Sequence, residues 1–86
     1  MNTRETNEAL IKEFAQESGM VDINPSIDTH LGRITLLDDN ARLIEEVDGN
    51  WCIQGTLDQL TDQEFNQVFS AVQGFASKVM AYAVSK

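Results

Sequence analysis

The spacing of apolar residues changes twice along the chain. Over residues 3–18, Leu10, Ile11 and Phe14 recur at helical spacing with Ala15 beside them, while Glu5, Glu8, Glu13 and Glu17 hold the polar side. This predicts a first helix over 3–18, capped by Thr3 or Thr6 and stopped at Gly19. Its stripe is narrow and short, so the helix needs a surface to pack on. Over residues 30–57 the period falls to two. Strands are expected at 31–37, 41–47 and 50–57, joined by an Asp38-Asp39-Asn40 turn and an Asp48-Gly49 type I′ turn. In the third strand Trp51, Ile53, Gly55 and Leu57 alternate with Cys52, Gln54 and Thr56, as a sheet with one apolar face requires. In the second, Leu43, Glu45 and Val47 alternate with Arg42, Ile44 and Glu46, and the two faces are less clearly sorted.

Over residues 61–84 the helical period returns. Thr61-Asp62-Gln63-Glu64 is a capping box. Phe65, Val68, Phe69, Val72, Phe75, Ala76, Val79, Met80 and Ala83 then form an unbroken stripe. Gly74 interrupts the good helix formers, either to let another backbone approach or because it is tolerated there.

Residues 20–29 are expected to connect the first helix to the sheet. Pro25 argues against a central strand, and Asn24 before it is biased to extended geometry. Met20, Val21, Ile23 and Ile27 are too apolar for a free linker and are expected to lie across the core edge. The predicted fold is thus a single α+β domain over residues 1–86: an N-terminal helix, a three-stranded antiparallel meander and a long C-terminal amphipathic helix. There is no internal repeat and no low-complexity tract.

Length adds an expectation about assembly. The last helix should run about 35 Å, whereas strands of this size span about 23 Å. The distal stripe therefore outruns the sheet and needs cover, from the first helix or from a second subunit. A homodimer using Phe75, Val79, Met80 and Ala83 is expected, since closed two-fold pairs are the commonest oligomers.

Composition and charge narrow the function classes. With 86 residues, 42% of them hydrophobic and 23% charged, the chain has an ordinary globular balance and a thin core. Six Lys and Arg against fourteen Asp and Glu give a formal net charge of −8. That charge repels nucleic-acid phosphates and anionic membrane surfaces. It leaves a basic partner, mimicry of nucleic acid, or simple solubility. The lone cysteine, Cys52, excludes an intrachain disulfide. The opening residues lack the apolar run of a signal peptide, and no stretch reaches the ~20 apolar residues that span a bilayer. The expected location is the cytoplasm.

Candidate chemistry is sparse. His30 has no partner group in the sequence that would orient it for catalysis, and Cys52 has no activating base beside it. Asp38 and Asp39 could hold a hard cation or do acid–base work, but the spacing is that of a turn. The glycines form no phosphate-cradling loop. The expectation is a protein that is not an enzyme and has no catalytic residue, cofactor or metal.

Three segments carry a family resemblance: "LIKEFAQESGM" from Leu10, "LGRITLLDDNARLIEEVDGNWCIQGTLDQL" from Leu31, and the capped final helix. Together they resemble the class I type III secretion chaperones of the Tir-chaperone (CesT-like) family. The likeness implies a small acidic dimer that holds the N-terminal segment of a secreted effector in extended form. It implies that Leu10, Ile11 and Phe14, with the strand positions Leu43 and Trp51, contact that segment. The alternative is an acidic inhibitor, either a toxin-immunity protein or a phage anti-defence protein that mimics nucleic acid.

Overall fold

A computed structural model describes residues 3–85, with side chains as far as residue 77. The first helix, α1 (Thr3–Ser18), forms where the spacing required it. Gly19 ends it at φ 85°, and its N–H donates to the Ala15 carbonyl at 2.9 Å. Four strands follow: β1 (Met20–Thr29), β2 (Gly32–Asp38), β3 (Leu43–Val47) and β4 (Asn50–Gly55). A 3₁₀ turn (Leu57–Gln59) leads into α2 (Asp62–Ser85). The sheet is antiparallel in the order β1-β2-β3-β4.

The sheet has four strands where the sequence predicted three, because the expected connector is β1. Val21 and Ile23 point inward, alternating with Met20 and Asp22, and Val21 pairs with Leu37. Pro25 is compatible because β1 is an edge strand and because the ladder breaks there, between Asp22 and Ile27. The Asn24–Pro25 peptide is cis.

The turns use the expected residues. Asp48 and Gly49 have φ of 53° and 82°, the pair of positive values that a type I′ turn needs. In the β2–β3 turn Asp38 Oδ1 accepts from the N–H groups of Asn40 and Arg42 at 3.0 and 2.8 Å, and Ala41 adopts φ 59°. Thr61 and Glu64 close the capping box: Glu64 N–H donates to Thr61 Oγ1 and Thr61 N–H to Glu64 Oε1.

Both helices pack on one face of the sheet, with α2 seated mainly on β1. Ile11 and Ala15 from α1, Phe65, Val68 and Val72 from α2, and Val21, Ile34, Leu37 and Leu43 from the sheet form the core between them. Two polar ties fix the frame. Arg4 donates to the carbonyls of Leu57 and Leu60 at 3.0 and 2.6 Å, pairs with Asp62 at 2.6 Å and lies 4.8 Å over the Phe65 ring. It thereby joins the start of α1 to the start of α2. His30, at the β1–β2 turn, gives its backbone N–H to Glu64 Oε2 and sets Nδ1 2.7 Å from Oε1.

Phe75 meets Phe14 edge-on at 5.9 Å, so α1 covers the beginning of the distal stripe. Val79, Met80 and Ala83 lie outside the described side chains. Among the described residues a Cβ added at Gly74 meets nothing within 4 Å, so none of them brings its backbone close there.

Candidate functional site

The face of the sheet away from the helices holds the exposed apolar surface. Register decides which residues share it. Leu36 pairs with Ile44, and Ile44 with Ile53, while their neighbours Leu37 and Leu43 pair with each other in the helix-packed core. Met20, opposite Asp38, and Trp51, opposite Glu46, belong to the same open face by alternation. A row of apolar side chains thus crosses β2, β3 and β4 with no helix over it.

Its cover is uneven. Leu36 and Ile44 are buried, whereas Met20, Trp51 and Ile53 are 50, 57 and 56% exposed. The buried pair is a floor and the exposed three are walls, around a shallow depression of about 320 Å³. Met20 and Trp51 also border a second depression beside it, which reaches Asp22, Thr35 and Glu46. Where β2 and β3 splay, the Thr35 hydroxyl stands in for backbone pairing. It donates to the Ile44 carbonyl at 3.1 Å and accepts from Glu46 N–H at 3.0 Å.

This face ends at a free strand edge, since β4 closes the sheet order. Val47 and Asn50 flank a two-residue turn, a pair that exchanges both hydrogen bonds. Antiparallel alternation then gives Cys52 to β3 as well, and directs the N–H and C=O of Trp51 and Ile53 away from it. The residues with bare side chains therefore also offer bare backbone. The opposite edge is blunted by Pro25 and the register break in β1, whereas β4 carries no charge and no proline.

Carboxylates rim the patch. Asp38 is held by Arg42, whose Nε donates to Oδ2 at 2.6 Å. Burial pushes the Asp38 carboxyl up, but the Arg42 N–H, its guanidinium and the Asn40 N–H outweigh it, and the net displacement is downward. Asp22, Asp39 and Glu46 have no ion-pair partner among the described residues.

The sequence-predicted contacts scatter over the fold. Trp51 stands on the open face. Leu10 is 52% exposed and Phe14 half-buried, bordering a separate apolar groove between α1 and α2. Ile11 and Leu43 lie in the core instead, at 1 and 0% exposure, Ile11 beneath the same groove that Leu10 and Phe14 border. Met20, Leu36, Ile44 and Ile53 were missed as site residues. The alternation of Trp51 and Ile53 was legible, but nothing in it says that this face lies opposite the helices.

The titratable groups serve the frame. The Thr61 N–H, then the His30 N–H and ring, hold the Glu64 carboxyl at about 2. Asp58 is lowered by the Thr56 hydroxyl beside it. Cys52 is exposed and forms no disulfide. Among the described residues no three His, Cys, Asp or Glu gather as for a metal ion, and no helix is long and apolar enough to cross a membrane. No protein-family model, curated protein or solved structure matches this chain.

Proposed function

We propose that this protein is a non-enzymatic cytoplasmic binding module that holds a segment of another protein in extended form, like the type III secretion chaperones it resembles. One observation carries this reading: Trp51 and Ile53 expose both side chain and backbone on a free edge strand, above a prebuilt apolar floor. An extended segment can add to such an edge as a fifth strand. Main-chain hydrogen bonds then supply affinity and alternate side chains supply selectivity. A patch of this kind on a small acidic protein is the mark of an interaction surface. The element order here lacks the middle helix through which such chaperones usually pair, so self-association falls to the end of α2.

The test is an array of overlapping peptides from the proteins encoded beside its gene, probed with the wild type and with Ile53→Glu. Discrete segments that bind the wild type and lose the variant support the proposal. An array without bound segments, or one on which the two proteins behave alike, contradicts it.

A further inference from the structure

The apolar residues of the open face run diagonally across all four strands. Asp22, Leu36, Ile44 and Ile53 stand level with one another in the ladders. Met20 lies two residues to one side of that line on β1, and Trp51 two residues to the other side on β4. They occupy opposite corners of the face, about 20 Å apart at ordinary strand spacing and rise. The band between them, through Leu36 and Ile44 with Ile53 beside it, is as long as about 13 residues of α-helix. Carboxylates stand on both of its flanks. Asp22 and Glu46 lie on one, and on the other the β2–β3 turn holds Asp39 beside the Asp38–Arg42 pair. Asp22, Asp39 and Glu46 are exposed and have no ion-pair partner among the described residues, while Arg42 is committed to Asp38.

We propose that this face receives an amphipathic α-helix of a protein partner, its apolar stripe laid along the diagonal and Lys or Arg on both flanks of the stripe. This goes beyond the extended-segment reading, which concerns the backbone edge of β4, and a helix on the face leaves that edge free. A helix is about 10 Å wide. Laid over the band, it brings the residues beside its stripe above Asp22 and Glu46 on one side and Asp39 on the other. The stripe supplies affinity by covering Met20, Trp51 and Ile53, in the manner of a helix in a groove. The flanking cations act chiefly on encounter rate and selectivity, so the preference should be strong at low salt and fade as salt rises. A second copy of this chain is a poor occupant. Its α1 sets Glu5, Glu8, Glu13 and Glu17 against Arg4 and Lys12, its α2 sets Asp62 and Glu64 against Lys78, and the apolar stripe of α1 is spent on its own core. Nucleic acid and anionic lipid are repelled by the same carboxylates.

The experiment uses Trp51, the single tryptophan, as its reporter. Synthetic peptides of about 14 residues are titrated at low and high salt. One sets Leu and Lys at helical period, one sets Leu and Glu at helical period, and one rearranges the Leu-Lys composition into strict alternation, the pattern of a strand. The wild type is compared with Met20→Glu, at the corner far from β4, and with a rim variant, Asp22→Asn, Asp39→Asn and Glu46→Gln together. A control removes as many carboxylates from α1, as Glu5→Gln, Glu13→Gln and Glu17→Gln. Circular dichroism checks the fold of each. The expected result is a blue shift of Trp51 emission with the helical Leu-Lys peptide, at about tenfold tighter binding than either other peptide in low salt. The rim variant should lose the charge preference and the α1 control should keep it. Met20→Glu should lose the helical peptide and still bind segments found on the peptide array, which separates the face from the edge. Binding of the alternating peptide as tightly as the helical one, or more so, overturns the helix and leaves the extended-segment reading standing. Equal binding of the two helical peptides, or a preference that the α1 control abolishes as fully as the rim variant, overturns the proposal. So does an unchanged Trp51 emission with every helical peptide, whatever the array shows. A dimer of the free protein that Met20→Glu breaks gives the face to a second copy and also overturns the proposal.

Discussion

Ile44 and Ile53 face each other across the β3–β4 ladder, yet Ile44 is 4% exposed and Ile53 56%. One step across the sheet takes the same side chain from floor to wall. The helices explain none of this difference, because they lie on the other face. Ile44 is covered by its own neighbours on the open face, and Ile53 has no strand beyond it.

The pair gives the first prediction. Ile44→Ala removes buried methyl groups and should cost about 2–4 kcal/mol of stability. Ile53→Ala removes surface already in water and should change stability by about 0.5 kcal/mol or less, while weakening segment binding. Urea unfolding of the two variants measures the first contrast and peptide titration the second. Equal destabilisation would mean that β4 is covered in solution.

Arg4 tests the frame. Arg4→Lys keeps the charge but loses the planar fork that reaches Leu57, Leu60 and Asp62 together. A loss of about 1–3 kcal/mol is expected for part-buried hydrogen bonds to a charged group. Denaturant midpoints report it, and the affinity of the open face should stay unchanged because Arg4 lies on the helix side.

Acid should loosen the tie between the β1–β2 turn and α2. Glu64 is held at about 2 against an ordinary value of 4.5, so the unfolded chain takes up its proton first. Its contribution is fully present above 4.5 and is lost as pH falls from there through about 2. Unfolding midpoints across that interval should fall more steeply for the wild type than for Glu64→Gln. Parallel slopes would remove Glu64 from the account.

Much of this frame was legible in the sequence, for local reasons. The caps at Gly19 and Thr61, the Asp48-Gly49 turn and both helices follow from neighbours in the chain. The fourth strand was hidden because Pro25 is a strong local signal against a strand. Its answer is non-local: an edge position and a ladder break. The site was hidden for a related reason. Alternation sorts Trp51 and Ile53 from Cys52 and Gln54, but only the packing of α2 on β1 decides which side of the sheet stays open. Ile11 and Leu43 entered the interior for the same reason, since residues of one apolar pattern divide between core and surface only once the layers are placed.

The proposed self-association uses the end of α2. The sequence stripe at Val79, Met80 and Ala83 continues beyond Phe75, which α1 covers. Light scattering should find a dimer that Val79→Glu dissociates, with higher salt favouring the dimer by screening the net charge of −8. A monomer for both proteins at all salt concentrations would refute the dimer and leave the open-face proposal intact.

The central claim is that a bound segment extends the sheet at β4, and amide hydrogen exchange tests it most directly. The free protein should exchange the Trp51 and Ile53 amides quickly, because their N–H groups face water. With a segment found on the peptide array bound, both should slow sharply while α1 and α2 remain unchanged. Protection that appears instead around Leu10 and Phe14, with β4 exchanging as before, would contradict the account and move the binding site to the groove between the helices.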